Sequence, residues 1–218
     1  MRLNTSVAIL AILAASTFAA HGDTLYSNLG PGQSFDTSSG GYDIGTVQRL
    51  DQVIAIPFVP TETATLTDAA LALQQIEGHG SMKVYIESSS GGAPGRVLDT
   101  LSQKGKIKAF SPSLVDFTCS SCSVLDAGVT YFLVAQEIGG RSLSEWQLAS
   151  DARGTIFDNA SGRQTGPWND DPNSAFGAFE VNGRAYGTSV TPEPSSLILL
   201  GTGIFGVAGL ARRKFLPA

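Results

Sequence analysis

The sequence predicts an all-β fold, an antiparallel β-sandwich of the jelly-roll kind, flanked by a secretory signal peptide and a short C-terminal hydrophobic helix. Between residues 23 and 190, runs of β-forming residues recur about every ten residues, separated by clusters of Gly, Pro, Asn, Asp and Ser. That stretch contains no heptad repeat and no glycine-rich phosphate-binding loop. Apolar runs near both ends are bordered by charged or small residues, which is typical of targeting segments. The chain is therefore divided into residues 1–22, 23–190 and 191–218.

The N-terminal segment predicts a signal peptide that is removed on export. Arg2 is its lone positive charge, residues 7–15 are apolar, and small residues follow. We expect cleavage after Gly22, because Asp23 then begins a polar segment that can fold. Cleavage after Ala19 is the alternative.

The first half of the domain consists of predicted strands and glycine-rich turns. A short β segment leads into a predicted loop at residues 30–41. Residues 52–59 predict a strand, in which Pro57 indicates a sheet edge or a bulge because proline lacks an N–H. Residues 64–74 are ambiguous between strand and helix, and we interpret them as a strand.

The next predicted strand, at residues 82–87, alternates between apolar and polar side chains. This pattern is typical of a half-buried strand, with Met82, Val84 and Ile86 facing the core and the intervening side chains, Lys83, Tyr85 and Glu87, facing solvent. A turn is predicted after it, at residues 88–95.

The second half of the domain contains the strongest β segment, at residues 129–136. A further strand is predicted at Trp146, followed by a long polar loop and a last strand at residues 175–181. We expect its Phe176 and Phe179 to be divided between the core and the rim.

The charge balance argues against a nucleic-acid partner. The chain has 14 Lys and Arg against 19 Asp and Glu, and a net charge of −5. Because Arg2 and the basic cluster at residues 212–214 lie in the targeting segments, the domain between them is more acidic still. Such a surface is repelled by nucleic acids and by anionic lipid.

Cys119 and Cys122 are the two cysteines of the chain, and two serines separate them. In an exported protein this spacing predicts a disulfide that closes a tight turn. A thioredoxin-like site would place the motif at the start of a helix, whereas these residues follow a predicted strand. A zinc site would need more ligands.

The catalytic motifs of common hydrolases are missing from the sequence. His21 is expected to leave with the signal peptide, and His79 lies between two glycines in a predicted hairpin loop. Neither a Gly-x-Ser-x-Gly elbow nor a His-Glu-x-x-His motif is present. A glycosidase needs two carboxylates rather than a histidine, but the sequence does not single out a pair. We therefore expect no enzyme and no catalytic residue.

The predicted loop at residues 157–173 is the candidate ligand site. Its oxygen donors suit a hard cation such as Ca²⁺, and Trp168 could stack on a sugar ring. The alternative is a solvated loop held in place by that tryptophan, without any cofactor. The donors are Asp158, Asn169, Asp170, Asp171 and Asn173.

The C-terminal segment combines three features. Pro192-Glu193-Pro194 cannot be helical, residues 197–210 carry no charge, and a basic cluster, Arg212-Arg213-Lys214, closes the run. A helix of about 14 to 16 residues is about 21 to 24 Å long, whereas the hydrocarbon core of a bilayer is about 30 Å thick. The run therefore predicts a short, weak membrane anchor whose C-terminal end lies in the cytoplasm.

This order of Pro-Glu-Pro, a leucine- and glycine-rich run and a basic cluster resembles the PEP-CTERM sorting signal of Gram-negative bacteria. The resemblance implies that an exosortase, a membrane protease-transferase, recognises and cleaves the chain at Pro192-Glu193-Pro194. It also implies a transient anchor in the inner membrane, followed by transfer to the cell surface or the exopolysaccharide matrix.

The domain itself resembles the choice-of-anchor domains, most closely choice-of-anchor R. The resemblance includes the segments at residues 25–28, 55–58, 92–95 and 125–131, Trp146, and the segment at residues 178–183. It implies an extracellular β domain of unassigned activity. We expect an exported, non-enzymatic surface or matrix protein; the alternatives are a carbohydrate-binding module that acts on exopolysaccharide and, below it, a glycoside-active enzyme.

Overall fold

The computed structural model describes most of the predicted domain. The predicted signal peptide and the predicted C-terminal hydrophobic helix both lie outside the described residues. Within the described part of the chain, no helix is long and apolar enough to cross a membrane. The described ranges are residues 23–47, 50–139, 141–160 and 166–186.

Strands account for most of the described residues, and every strand pairing is antiparallel. One short 3-10 turn occurs at Pro31–Gln33. The strands are β1 (Asp23–Ser27), β2 (Asp36–Val47), β3 (Leu50–Phe58), β4 (Ala64–Glu77), β5 (Ser81–Ser90), β6 (Ala93–Gln103), β7 (Ser113–Thr118), β8 (Val124–Leu125), β9 (Tyr131–Ile138), β10 (Leu143–Asn159), β11 (Asn169–Gly177) and β12 (Phe179–Ala185).

The strands form one sheet that closes on itself. Its order is β1-β12-β4-β7-β6-β5-β9-β3-β2-β10-β11, and β10 also pairs with β4. That pairing closes a ring of eight strands from β4 to β10, to which β12 and β1 are added at β4 and β11 at β10. The prediction of an all-β antiparallel fold is confirmed. The prediction of a sandwich of two separate sheets is not confirmed. Both β4 and β10 pair with several neighbours along their length, so the sheet curls round.

The interior of the ring is filled by one large apolar cluster. Trp146 and Phe179 are fully buried in it, with their ring centroids 5.9 Å apart. The indole Nε1 of Trp146 donates a hydrogen bond to the carbonyl oxygen of Ala178 at 2.9 Å. As predicted, Phe179 lies in the core and Phe176 is half-buried at its margin. However, the predicted strand at residues 175–181 is divided into β11 and β12 at Ala178.

A second apolar cluster covers the outer face of β3, β9 and β5. Met82, Val84 and Ile86 face the interior cluster as predicted. The prediction that the opposite face of this strand is exposed is wrong for Tyr85 and Glu87, which are both buried. The reason is that neighbouring strands also place apolar side chains on that outer face, so that both faces of β5 are covered.

Two predicted loops contain strands instead. In the predicted glycine-rich loop at residues 30–41, strand β2 begins at Asp36. The predicted polar loop at residues 157–173 contains the end of β10 and the start of β11. These stretches are polar because they pair at the margin of the sheet, where side chains face water; residues 169–173 are all exposed. The strand predicted at residues 64–74 is confirmed as β4. Pro57 lies beyond the last β3 residue that pairs with β10, which agrees with its predicted edge position.

Candidate functional site

A groove of about 500 Å³ opens on the outer face of the sheet, beside Trp168. Its floor is apolar and includes Phe132 on β9 and Phe157 on β10, whose rings meet edge to face with centroids 5.3 Å apart. Pro57 continues this floor on β3. The groove therefore combines aromatic and aliphatic surface at a point where three strands lie side by side.

One wall of the groove is the tight turn between β5 and β6. Ser90 and Ala93 are the last paired residues, so Gly91 and Gly92 form a two-residue hairpin loop with φ values of 64° and 87°. Positive φ at both central positions is the type I′ geometry, for which glycine carries no steric cost. The two glycines therefore allow the chain to turn tightly beside the groove.

Trp168 also lines the groove. It precedes β11 and packs against the outer apolar cluster while part of its side chain stays accessible. The solvated-loop interpretation requires a buried Trp168, and a stacking platform requires an exposed indole; the side chain lies between these extremes. A half-buried tryptophan beside an apolar floor is a surface on which a flat, partly apolar ligand can pack.

Polar groups border the same groove. Asp170 is paired with Phe157 across β10 and β11, so its side chain shares the outward face. Thr130 and Thr155 add hydroxyl groups to the lining. A sugar has hydroxyl groups that bond to such carboxylates and hydroxyls, and a C–H face that packs on an indole. The groove therefore offers the two kinds of contact, polar and aromatic, that a saccharide makes.

The oxygen donors that suggested calcium do not converge on one point. Asn169 donates from Nδ2 to Oδ1 of Asp158 at 3.0 Å, whereas Asp170 faces the groove because neighbouring strand residues point to opposite faces. Asp171 accepts a 2.5 Å hydrogen bond from Ser174, and Asn173 has a positive φ of 64° at the irregular part of the hairpin. Among the described residues, no three His, Cys, Asp or Glu side chains form a group that could hold a metal ion.

Glu87 is a buried carboxylate that the sequence pattern assigned to solvent. It lies on the outward face of β5, between Val97 of β6 and Phe132 of β9, and it is completely buried. Neither carboxylate oxygen has a hydrogen-bond partner in the described structure. Burial raises the pKa of Glu87 to about 7. The apolar outward residues of neighbouring strands, such as Val53 and Ala55, were the signal that this face is covered.

Another buried carboxylate, Glu137, has a structural role. Ser142 and Ser144 each donate a hydroxyl hydrogen bond to it, at 2.6 and 2.9 Å, which ties β9 to β10. Burial raises the pKa of Glu137, and the two serine hydrogen bonds act against that rise. All three residues are buried, so this group is not accessible to a substrate.

The predicted disulfide joins Cys119 and Cys122 in the connection between β7 and β8, with the two Cα atoms 5.7 Å apart. The position after a strand agrees with the prediction of a bond that closes a turn. Next to the bond lies a shallow cavity that Thr65 and Arg184 also line, at the end of the domain where β12 stops. His79 occupies the turn between β4 and β5, as predicted.

Comparison with known families identifies the C-terminal segment. Residues 190–214 match the family model of the PEP-CTERM protein-sorting motif. The matched range contains both the Pro-Glu-Pro triplet and the basic cluster, and it marks an exported protein that an exosortase processes. No curated protein matches the chain. The resemblance of the domain to choice-of-anchor proteins stays a prediction.

Proposed function

We propose that the sorting motif at residues 190–214 delivers this protein to the cell surface or the extracellular matrix, where its β domain binds polysaccharide. The groove beside Trp168 is the binding site in this proposal, and the domain has no catalytic role. The sorting part is supported by the match to the PEP-CTERM motif. The binding part is supported by the half-buried Trp168, which lines the groove on an apolar floor bordered by Asp170.

The sorting route includes a transient stage in the inner membrane. The uncharged run at residues 197–210, followed by the basic cluster, supports an anchor with its C-terminal end in the cytoplasm. Before cleavage this anchor keeps the exported domain at the membrane, and cleavage at the Pro-Glu-Pro triplet releases it for transfer.

The sorting proposal is tested by replacing Pro192-Glu193-Pro194 with three alanines in a host that has an exosortase. We expect the uncleaved, membrane-held form to accumulate, as followed by pulse-chase and gel mobility. The matched control replaces Gly187-Thr188-Ser189 with three alanines, outside the matched motif, and should be processed like the natural protein. Loss of the tail at the natural rate from the first variant would refute the proposal.

The binding proposal is tested on processed protein purified from the host. Titration with exopolysaccharide fragments should change tryptophan fluorescence and raise the melting temperature. Trp168→Ala should abolish both effects. The remaining Trp146 is completely buried, so its emission serves as an internal control for the fold. If the natural protein shows neither change, the groove does not bind polysaccharide.

The two other interpretations have less support. Asp170 is the one carboxylate among the described residues that line the groove, whereas glycosidases generally use two. A calcium site would need several oxygen donors at about 2.3 to 2.6 Å from one point. Asp170 lies on the opposite face from Asp158, Asn169 and Asp171, and no three acidic side chains among the described residues form a group that could hold a metal ion.

A further inference from the structure

The end of the domain from which the chain continues toward the sorting motif carries exposed apolar side chains. β12 is the last strand, and its Ala185 pairs with Ala64 of β4. The backbone N–H of Tyr186 then donates to the carbonyl oxygen of Thr63 at 3.4 Å. Tyr186 is thus fixed at this end, beside the start of β4.

Four of the five exposed large apolar side chains in the described part of the chain lie at this end. We call them the exit patch: Val59 (43% exposed), Val124 (36%), Val129 (44%) and Tyr186 (67%). The fifth, Phe110, lies at the opposite end, where its N–H donates to the carbonyl oxygen of Gln75 near the end of β4.

Backbone hydrogen bonds hold the segments of the exit patch together. Gly128 donates to the carbonyl oxygen of Pro60 at 3.0 Å, which places Val129 beside the segment that follows Val59. Ala127 donates to the hydroxyl of Thr63 at 3.0 Å, and Thr63 also receives the bond from Tyr186. Val124 pairs with Thr65, two residues beyond Thr63, so all four side chains lie on segments that are fixed at this end of the domain.

The exit patch is covalently close to the processing site. Five residues lie between Tyr186 and Pro192, and the six steps from one to the other span at most about 20 to 22 Å when the chain is fully extended. Any enzyme that acts at the Pro-Glu-Pro triplet therefore works within that distance of Tyr186, at the membrane surface.

The charges around the patch favour a protein partner over lipid. The neighbouring charged side chains are Glu62, Asp126 and Arg184, two acidic and one basic. Binding to anionic membranes depends on clusters of Lys and Arg, which this end lacks in its described residues. Tyrosine with small apolar neighbours is typical of protein interfaces, which are depleted of charge at their centre.

We propose that the exit patch docks on the exosortase and positions the Pro-Glu-Pro triplet for cleavage. This inference rests on the proposed sorting route and assigns a second contact to the enzyme. Such a contact raises the effective concentration of the triplet at the active site, because the second binding event becomes intramolecular. A surface of four side chains is small, so the cleaved domain can leave the enzyme.

Site-specific photo-cross-linking identifies the occupant of the patch. A photoreactive residue replaces Val129 in the full chain, expressed with the exosortase, and Phe110 is replaced in the matched control. We expect an adduct with the exosortase from position 129 and none from position 110. Lipid adducts, adducts with a second copy of the chain, or equal exosortase adducts from both positions would overturn the inference.

A processing assay measures what the contact contributes. Val59→Thr, Val129→Thr and Tyr186→Ser are combined, and because these side chains are exposed we expect an unchanged melting temperature of the purified protein. Cleavage of the combined variant should slow about tenfold, whereas Phe110→Ser should be cleaved at the natural rate. Natural-rate cleavage of the combined variant overturns docking; if the triple-alanine change at the Pro-Glu-Pro triplet blocks cleavage in the same cells, the sorting proposal still stands.

Discussion

At the scale of single residues, Glu87 carries an electrostatic cost. Its carboxylate is completely buried and has no hydrogen-bond partner in the described structure. The charged form is therefore disfavoured, and the pKa rises from 4.5 to about 7. Burial raises the pKa of Tyr85, and the nearby charge of Glu87 raises it further.

This shift predicts that the domain loses stability as the pH rises. Folded Glu87 binds its proton more tightly than the unfolded chain does, so its contribution is fully present below pH 4.5 and is lost as the pH passes through about 7. The loss amounts to at most about 3 kcal/mol. Glu87→Gln should remove this part of the pH dependence and make the protein more stable than the natural one at pH 8.

Urea unfolding at pH 5 and pH 8 measures the effect of Glu87. Asp126→Asn, a change at an exposed carboxylate, is the control and should follow the natural profile. Parallel profiles for the natural protein and Glu87→Gln would contradict the assignment.

A second residue-scale prediction concerns the packing of Trp146. A Cβ atom on Gly177 would lie 2.5 to 2.8 Å from three atoms of the indole. Because the indole is buried and held by its bond to Ala178, Gly177→Ala should cost about 1 to 3 kcal/mol of stability. The melting temperature and the fluorescence emission of Trp146 measure this loss of stability. An unchanged melting temperature would show that the core can rearrange around the added methyl group.

At the scale of elements, the disulfide stabilises a single connection. Cys119 and Cys122 close a small ring between β7 and β8. The bond therefore removes only a little conformational entropy from the unfolded chain. Replacing both with serine should lower stability by about 2 kcal/mol. The control replaces Ser120 and Ser121, inside the ring, with alanine. Two free thiols found by mass spectrometry in the exported protein would refute the bond.

The sequence was a good guide to elements with one clear apolar face and a poor one elsewhere. The alternation of apolar and polar residues predicted β5 and its inward side chains correctly, because one face of that strand packs on the interior cluster. The first part of β11 was missed because residues 169–173 are all exposed and their polar composition is that of a loop. Its position depends on pairing with β10, and long-range pairing of this kind leaves no local pattern.

The candidate site was predicted in composition but not in geometry. Trp168 lies in a groove, as a stacking role requires, and the sequence singled out this residue. Strand alternation separates Asp170 from Asp158, Asn169 and Asp171, which could not be seen while residues 157–173 were interpreted as a loop. Glu87 was assigned to solvent because the apolar cover of its face comes from β3 and β9.

At the scale of the whole molecule, the closed sheet depends on strands from distant parts of the chain. β12 lies between β1 and β4, and its Phe179 is part of the interior cluster. We expect a chain that ends at Gly177 to lack a cooperative unfolding transition, whereas a chain that ends at Tyr186 should unfold cooperatively. Circular dichroism during heating distinguishes them. Cooperative melting of the shorter chain would show that β12 is dispensable.

The pairing of Asp23 with Gly183 also has a consequence for the timing of secretion. A protein-conducting channel delivers the N-terminal strand β1 first. Its partner β12 emerges only after nearly the entire domain has crossed the membrane. The sheet can be completed when β12 has emerged, while residues 187–218 are still to follow. We therefore expect folding to finish at the membrane surface, after translocation of the domain and before release, so that the enzyme that cuts the tail meets a domain that has already reached its final shape.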